Sequence, residues 1–215
     1  MNSIIPNTTF NIIQNTSLYT TDKCHYLLIH KNACTTIRGH LDSNSPYLDL
    51  KMSLIPDNSN LPYWTVTRDP YDRFISGLTY DIFKSYPLAK DLKKVLGTIN
   101  FNNLFLQKLP ISSISKSIGK LNHTVLQWTY LFNQKLDFYV DIKDLDLFLE
   151  VHFEKKTKER GKSQDPKQKE IVKNYIESNP NLKSLVFNYL SNDYYLLNQI
   201  NNSGLLWNWQ MGKMF

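Results

Sequence analysis

The chain is poor in the residues that build covalent or metal-bound scaffolds. Two cysteines, Cys24 and Cys34, stand among 215 residues, too few for a disulfide framework or a cysteine zinc site, and no metal is expected. No apolar run approaches the roughly 20 residues needed to span a bilayer. Met1 to Phe10 also lack a basic segment followed by an apolar core. These absences predict a soluble, cytoplasmic protein without a membrane partner. Glycine is scarce, at seven residues, and none lies between His30 and Arg38.

What is present is globular. Hydrophobic residues make up 41% and aromatics 13%, enough for a sizeable core in one domain. Residues 1–22 are polar and read as an arm with little regular structure, leaving 23–215 as a single domain. Twenty-five basic residues against 19 acidic give a net charge of +6, which favours an anionic partner. Nucleic acid, an anionic glycan and a phosphorylated cofactor all satisfy that bias.

The run His25 to Ile29 is apolar without alternation, as in a strand covered on both faces. A helix is expected from about Thr35 to Leu41. The Ser43 to Asn60 segment, rich in Ser, Asn, Asp and Pro, reads as a loop forming the lip of a cleft. Tyr63 to Thr67 has strand propensity, and Asp69-Pro70 can cap the helix that follows. In that helix Tyr71, Phe74, Ile75, Leu78 and Ile82 form an apolar stripe, with Arg73, Ser76 and Asp81 mostly off it.

Further helices are expected on either side of Gly97 within Leu88 to Lys108, and over His123 to Asn133. Phe138 to Val140 reads as a third strand, and Asp144 to Val151 as its helix. Helical packing should also follow Asp165-Pro166 and continue from Leu182 to Leu197. Alternating strands and helices predict an α/β fold with a central parallel sheet flanked by helices in three layers, of P-loop-like type.

Two junctions carry chemistry. Lys31, Thr35 and Thr36 lie on a short loop between a strand and a helix start, an arrangement that cradles anions. The loop lacks the Gly-Lys-Ser/Thr ending of a nucleoside triphosphate P-loop. Arg68 follows the next strand, and Ser76, eight residues on, lies two turns into its helix. Both junctions should meet at the carboxyl edge of the sheet. Two anion sites suggest a ligand with two phosphates.

His30-Lys31-Asn32-Ala33-Cys34-Thr35-Thr36 resembles the 5'-phosphosulfate loop of sulfotransferases, especially the Golgi carbohydrate sulfotransferase group. Thr67-Arg68-Asp69-Pro70-Tyr71-Asp72-Arg73-Phe74-Ile75-Ser76 resembles that family's 3'-phosphate motif. The resemblance runs from about residue 25 to 198, with its specificity in these two motifs. It implies 3'-phosphoadenosine 5'-phosphosulfate (PAPS) as the donor and adenosine 3',5'-bisphosphate (PAP) as its product. The loop from Lys31 through Asn32, Ala33 and Cys34 to Thr35 and Thr36 would hold the 5' end, and Arg68 with Ser76 the 3'-phosphate. The basic segment around Arg160 and Lys162 is similar to the family's cofactor-covering segment, although a solvated basic face explains it equally well.

The implied reaction is in-line displacement on sulfur by an acceptor hydroxyl of a glycan or small molecule, phenols included. Lys31 would neutralise charge on the bridging oxygen. Among five histidines, His123 is favoured as general base. His25 and His152 read as structural, His30 adjoins the loop, and Asp49 or Asp57 of the lip compete for the role. A P-loop-like kinase and a basic nucleic-acid-binding module are the rival readings.

Overall fold

The computed structural model describes residues 15–34, 36–37, 47–51, 60–85, 92–101, 123–124, 126–131, 136–153 and 166–212. Among these, five strands form one mixed sheet: β1 (Asn15–Thr20), β2 (His25–Leu28), β3 (Tyr47–Lys51), β4 (Tyr63–Thr67) and β5 (Phe138–Asp141), in the order β3-β1-β2-β4-β5. The three strands expected from sequence, β2, β4 and β5, run parallel. β1 and β3 extend the sheet antiparallel at one edge.

Two expectations are corrected here. Asn15–Thr20, assigned to the arm, is a sheet strand, and Tyr47–Lys51, assigned to the lip, is the strand at the sheet edge. An antiparallel strand need only bury one face, so its residues do not form an apolar run. In β1 only Leu18 is a fully apolar side chain, and it is buried. β3 carries Asp49 and Lys51, and charge suits a strand whose outer edge has no partner strand among the described residues.

β2 shows why the centre of the sheet is buried on both faces. Tyr26 and Leu28 join a cluster with Trp64, Val66, Phe138 and Val140, closed by Phe148 and Leu149 of helix α4 (Leu145–Phe153) and by Trp207. Leu27 and Ile29 point the opposite way, against Tyr130 and Leu131 of helix α3 (Gln127–Leu131). Period-two alternation thus sends successive residues of one apolar run into two different cores.

A third cluster forms among helices α1 (Pro70–Ser85), α2 (Leu92–Gly97), α5 (Pro166–Glu177) and α6 (Pro180–Tyr189). The predicted stripe of α1 lies in it, through Phe74, Ile75, Leu78 and Ile82. The helical packing expected from Leu182 to Leu197 consists of two helices that meet at Leu190, α6 and α7 (Ser191–Asn202). No described helix is long and apolar enough to cross a membrane.

Candidate functional site

The loop after β2 turns without glycine. Lys31 and Ala33 both adopt left-handed backbone, with φ of 67° and 58°, conformations that cost an ordinary residue roughly 1 kcal/mol or more. The surrounding contacts hold them there. Asn32, wholly buried between the two, donates from Nδ2 to Val66 O and to Gln127 Oε1, both at 2.7 Å. Its N–H bonds to Ile29 O at 3.2 Å. Asn32 therefore works as a strut for the loop, since its Nδ2 and its backbone N–H already bond within the protein, while its buried Oδ1 has no hydrogen-bond partner among the described residues. The helical turn then opens at Cys34, with Ile37 N donating to Ala33 O.

Gln127 ties this loop to the second junction. Its Oε1 also accepts from Arg68 N at 3.1 Å, and its Nε2 donates to Arg68 O at 2.8 Å. Asp193 of α7 fixes Gln127 in turn, accepting from Gln127 N and Trp128 N at 2.8 and 2.7 Å. A buried carboxylate thereby caps α3 with both oxygens. Burial pushes its pKa up.

The two predicted junctions meet directly: Arg68 Nη1 donates to Lys31 O at 3.1 Å. Arg73, almost entirely buried, donates from Nε to His30 O at 3.0 Å and lies over the Tyr130 ring. Lys31 Nζ sits 3.5 Å from the centroid of Tyr80. Burial lowers the Lys31 pKa to about 8, and the charges of Lys169 and Arg68 push it the same way, opposed by Cys34 and Asp81. Lys169 of α5 is lowered too, by burial first and then by Arg68, with Asp72 acting in the opposite sense. Three cations from three segments thus share one field.

α1 is buried on two faces. Opposite its apolar stripe lie Arg73, Ser76, Gly77, Tyr80 and Asp81, at spacings of three, one, three and one. Gly77 is required there: a Cβ on it would stand 2.2 Å from His123 O. His123 consequently reaches the site, with its ring 4.5 Å from Tyr80 and 5.3 Å from His30. Asp81 accepts from His123 Nδ1 at 2.5 Å and from His123 N at 3.0 Å.

Lys31, Ala33, Cys34, Thr36, Arg68 and Ser76 thus fall on or beside the two junctions, with Ser76 buried on the α1 face that meets the first loop. Thr35, Arg160 and Lys162 lie outside the described residues, as do His40 and Asp57. Asp49 lies on β3 opposite Ser17, two strands from β2. His25 stacks on Tyr63, and His152 stacks on Phe148 with Nδ1 toward Phe148 O, so both serve packing as expected.

Gln127, Asp193, Asp81, Tyr80 and Lys169 were not among the expected site residues. Lys169 had a signal: it precedes Val172 by three and Ile176 by seven, on the buried face of α5. A cavity of about 570 Å³ lies elsewhere, between Gly97–Phe101 and α5–α6 residues such as Tyr175 and Leu182, and includes none of these residues.

No protein-family model matches the chain, and no curated protein or solved structure matches it.

Proposed function

We propose that the chain is a PAPS-dependent sulfotransferase built on a P-loop-like sheet, transferring a sulfuryl group to an acceptor hydroxyl. The observation that carries this reading is the meeting of the two motifs at one point, where the Arg68 guanidinium bonds the Lys31 carbonyl beside the Lys31 and Lys169 ammonium groups. The donor set fits a bis-phosphorylated nucleotide. It is cationic, partly desolvated, and divided among a loop, the helix-capping segment of the next strand and α5. In such surroundings each phosphate contact gains strength from the reduced dielectric.

PAPS supplies an activated sulfuryl group and a stable bisphosphate leaving group. Lys31 neutralises charge as it grows on the bridging oxygen, an interaction stronger in the transition state than before it. Arg68 and Ser76 hold the 3'-phosphate, and Thr36 with its neighbours holds the 5'-phosphate. His123 takes the acceptor proton. The acceptor is a hydroxyl of a carbohydrate or another small molecule.

Thermal unfolding with PAP tests the reading. At a concentration 100 times the dissociation constant, ligand binding to the folded state adds about 2.7 kcal/mol. For a chain of this length that raises Tm by about 5 to 10 °C. Unchanged Tm at millimolar PAP refutes the proposal. Stabilisation by magnesium ATP in its place points to phosphoryl transfer.

A further inference from the structure

We propose that Asp81 is a positioning residue for His123, setting the imidazole so that Nε2 presents a lone pair as the proton acceptor of the reaction. Naming the proton's source rests on the sulfotransfer reading above, whereas the imidazole geometry does not depend on it.

The arrangement begins with α1. Gly77 lets the His123 backbone lie against the helix, and Asp81, one turn further on, comes under the same residue. Asp81 is only 2% exposed, and its carboxylate can accept hydrogen bonds but not donate them. Oδ2 takes the His123 N–H at 3.0 Å and Oδ1 faces Nδ1 at 2.5 Å. The proton of the neutral ring must therefore reside on Nδ1, which leaves Nε2 unprotonated. No described residue is bonded to Nε2, and the side chain keeps 19% of its surface exposed. The base is thus fixed on its inner side and open on its outer side.

Tyr80, the residue before Asp81, places the base relative to the cation. Its ring carries Lys31 Nζ at 3.5 Å and meets the His123 ring at 4.5 Å. One helical turn of α1 therefore carries both the aromatic plate under Lys31 and the carboxylate behind His123. Lys31 neutralises the leaving side of a displacement while His123 serves the entering side. As the acceptor oxygen bonds to sulfur, its proton moves to Nε2. The sulfur–oxygen bond to the 5'-phosphate breaks, and its electron pair leaves on PAP. The resulting imidazolium keeps Nδ1–H toward Asp81 and releases its Nε2 proton to water.

Nitrogen NMR of the full chain, labelled in its five histidines, reads the tautomer directly, with His123→Gln identifying the signals. In the wild type at a pH where the ring is neutral, Nδ1 should give a protonated-type signal and Nε2 a lone-pair signal. Observation of Nε2–H as the main form overturns the proposal without any variant having to fold. In Asp81→Asn a carboxamide offers one acceptor to two donors, so the ring should move to a mixture or to the opposite tautomer. An unchanged distribution there also overturns it.

The same variant should bind PAP as the wild type does while PAPS turnover falls by roughly 10²–10⁴-fold, the usual loss with a general base. Equal loss of PAP affinity and turnover would assign Asp81 to the fold alone. Failure of PAP to bind the wild type would remove sulfotransfer and leave the tautomer result standing.

Discussion

Lys31 should announce an anionic ligand by taking up a proton. Burial, with Lys169 and Arg68 nearby, holds it at about 8 in the free protein, against about 10.4 for an exposed lysine. A phosphate beside Nζ favours the charged form. At pH 9, a group with pKa near 8 is charged in only about one molecule in eleven, so binding should draw in about 0.9 proton. At pH 7 the uptake should be about 0.1.

Affinity for PAP should accordingly fall by up to about tenfold per pH unit between about 8 and 10.4. The free protein should show the opposite slope. Unfolding releases the lysine to its ordinary pKa and takes up a proton in that window, so the ligand-free stability rises with pH. Isothermal titration calorimetry in two buffers of different ionisation heat counts the protons. Lys31→Met should abolish most of the uptake, and Lys169→Met reports the share of the second lysine. No uptake at pH 9, or the same uptake in Lys31→Met, refutes the reasoning.

Other residues give independent checks. Gly77→Ala forces a methyl toward His123 O and should lower unfolding free energy by about 1–3 kcal/mol, measured by urea denaturation, and should broaden the His123 signals as α1 and residue 123 separate. Asp193→Ala removes the double cap of α3 and should cost about 2–4 kcal/mol, since each bond to a charged group contributes about 1.5–3 kcal/mol before relaxation. Arg68→Ala should weaken PAP by roughly 10- to 150-fold, equivalent to about 1.5–3 kcal/mol, with a smaller effect on adenosine 5'-monophosphate.

Much of the scaffold could be read from local pattern. β2, β4 and β5 are short apolar runs, and α1 carries both a cap signal and a stripe. β1 and β3 could not be read in that way, because each owes its strand conformation to pairing: β1 forms a hairpin with β2, and β3 reaches back across a long stretch of sequence to pair with β1. Asn15–Thr20 carries too few apolar residues to mark a buried element, and in Tyr47–Lys51 Leu48 and Leu50 alternate with Asp49 and Lys51, a one-sided pattern and no continuous apolar run. The missing glycines of the first loop also conveyed less than they suggested. Left-handed backbone is present at Lys31 and Ala33, held by Asn32 and Gln127 instead of being made easy by glycine.

The meeting of the two junctions in the candidate site was legible where charge followed a strand, at Lys31 and Arg68. It was obscured where polar residues act through long-range pairing. Asp81 looked like an off-stripe helix residue, and Gln127 an interior residue of a helix expected over His123 to Asn133, whereas the helix starts at Gln127. Only the approach of His123 to α1 and of α7 to α3 turns them into parts of the candidate site. The many lysines of the Lys155 to Lys173 sequence concealed Lys169, although its spacing from Val172 and Ile176 set it on the packed face.

The proposed site is a clamp for two phosphates, Lys31 with the first loop on one side and Arg68 with Ser76 on the other. Parallel titration of adenosine 3',5'-bisphosphate and adenosine 5'-monophosphate, at one pH and ionic strength, measures it directly. The clamp predicts tighter binding of the bisphosphate by at least about tenfold, about 1.4 kcal/mol, with the difference erased in Arg68→Ala. Equal affinity for the two nucleotides in the wild type would contradict it.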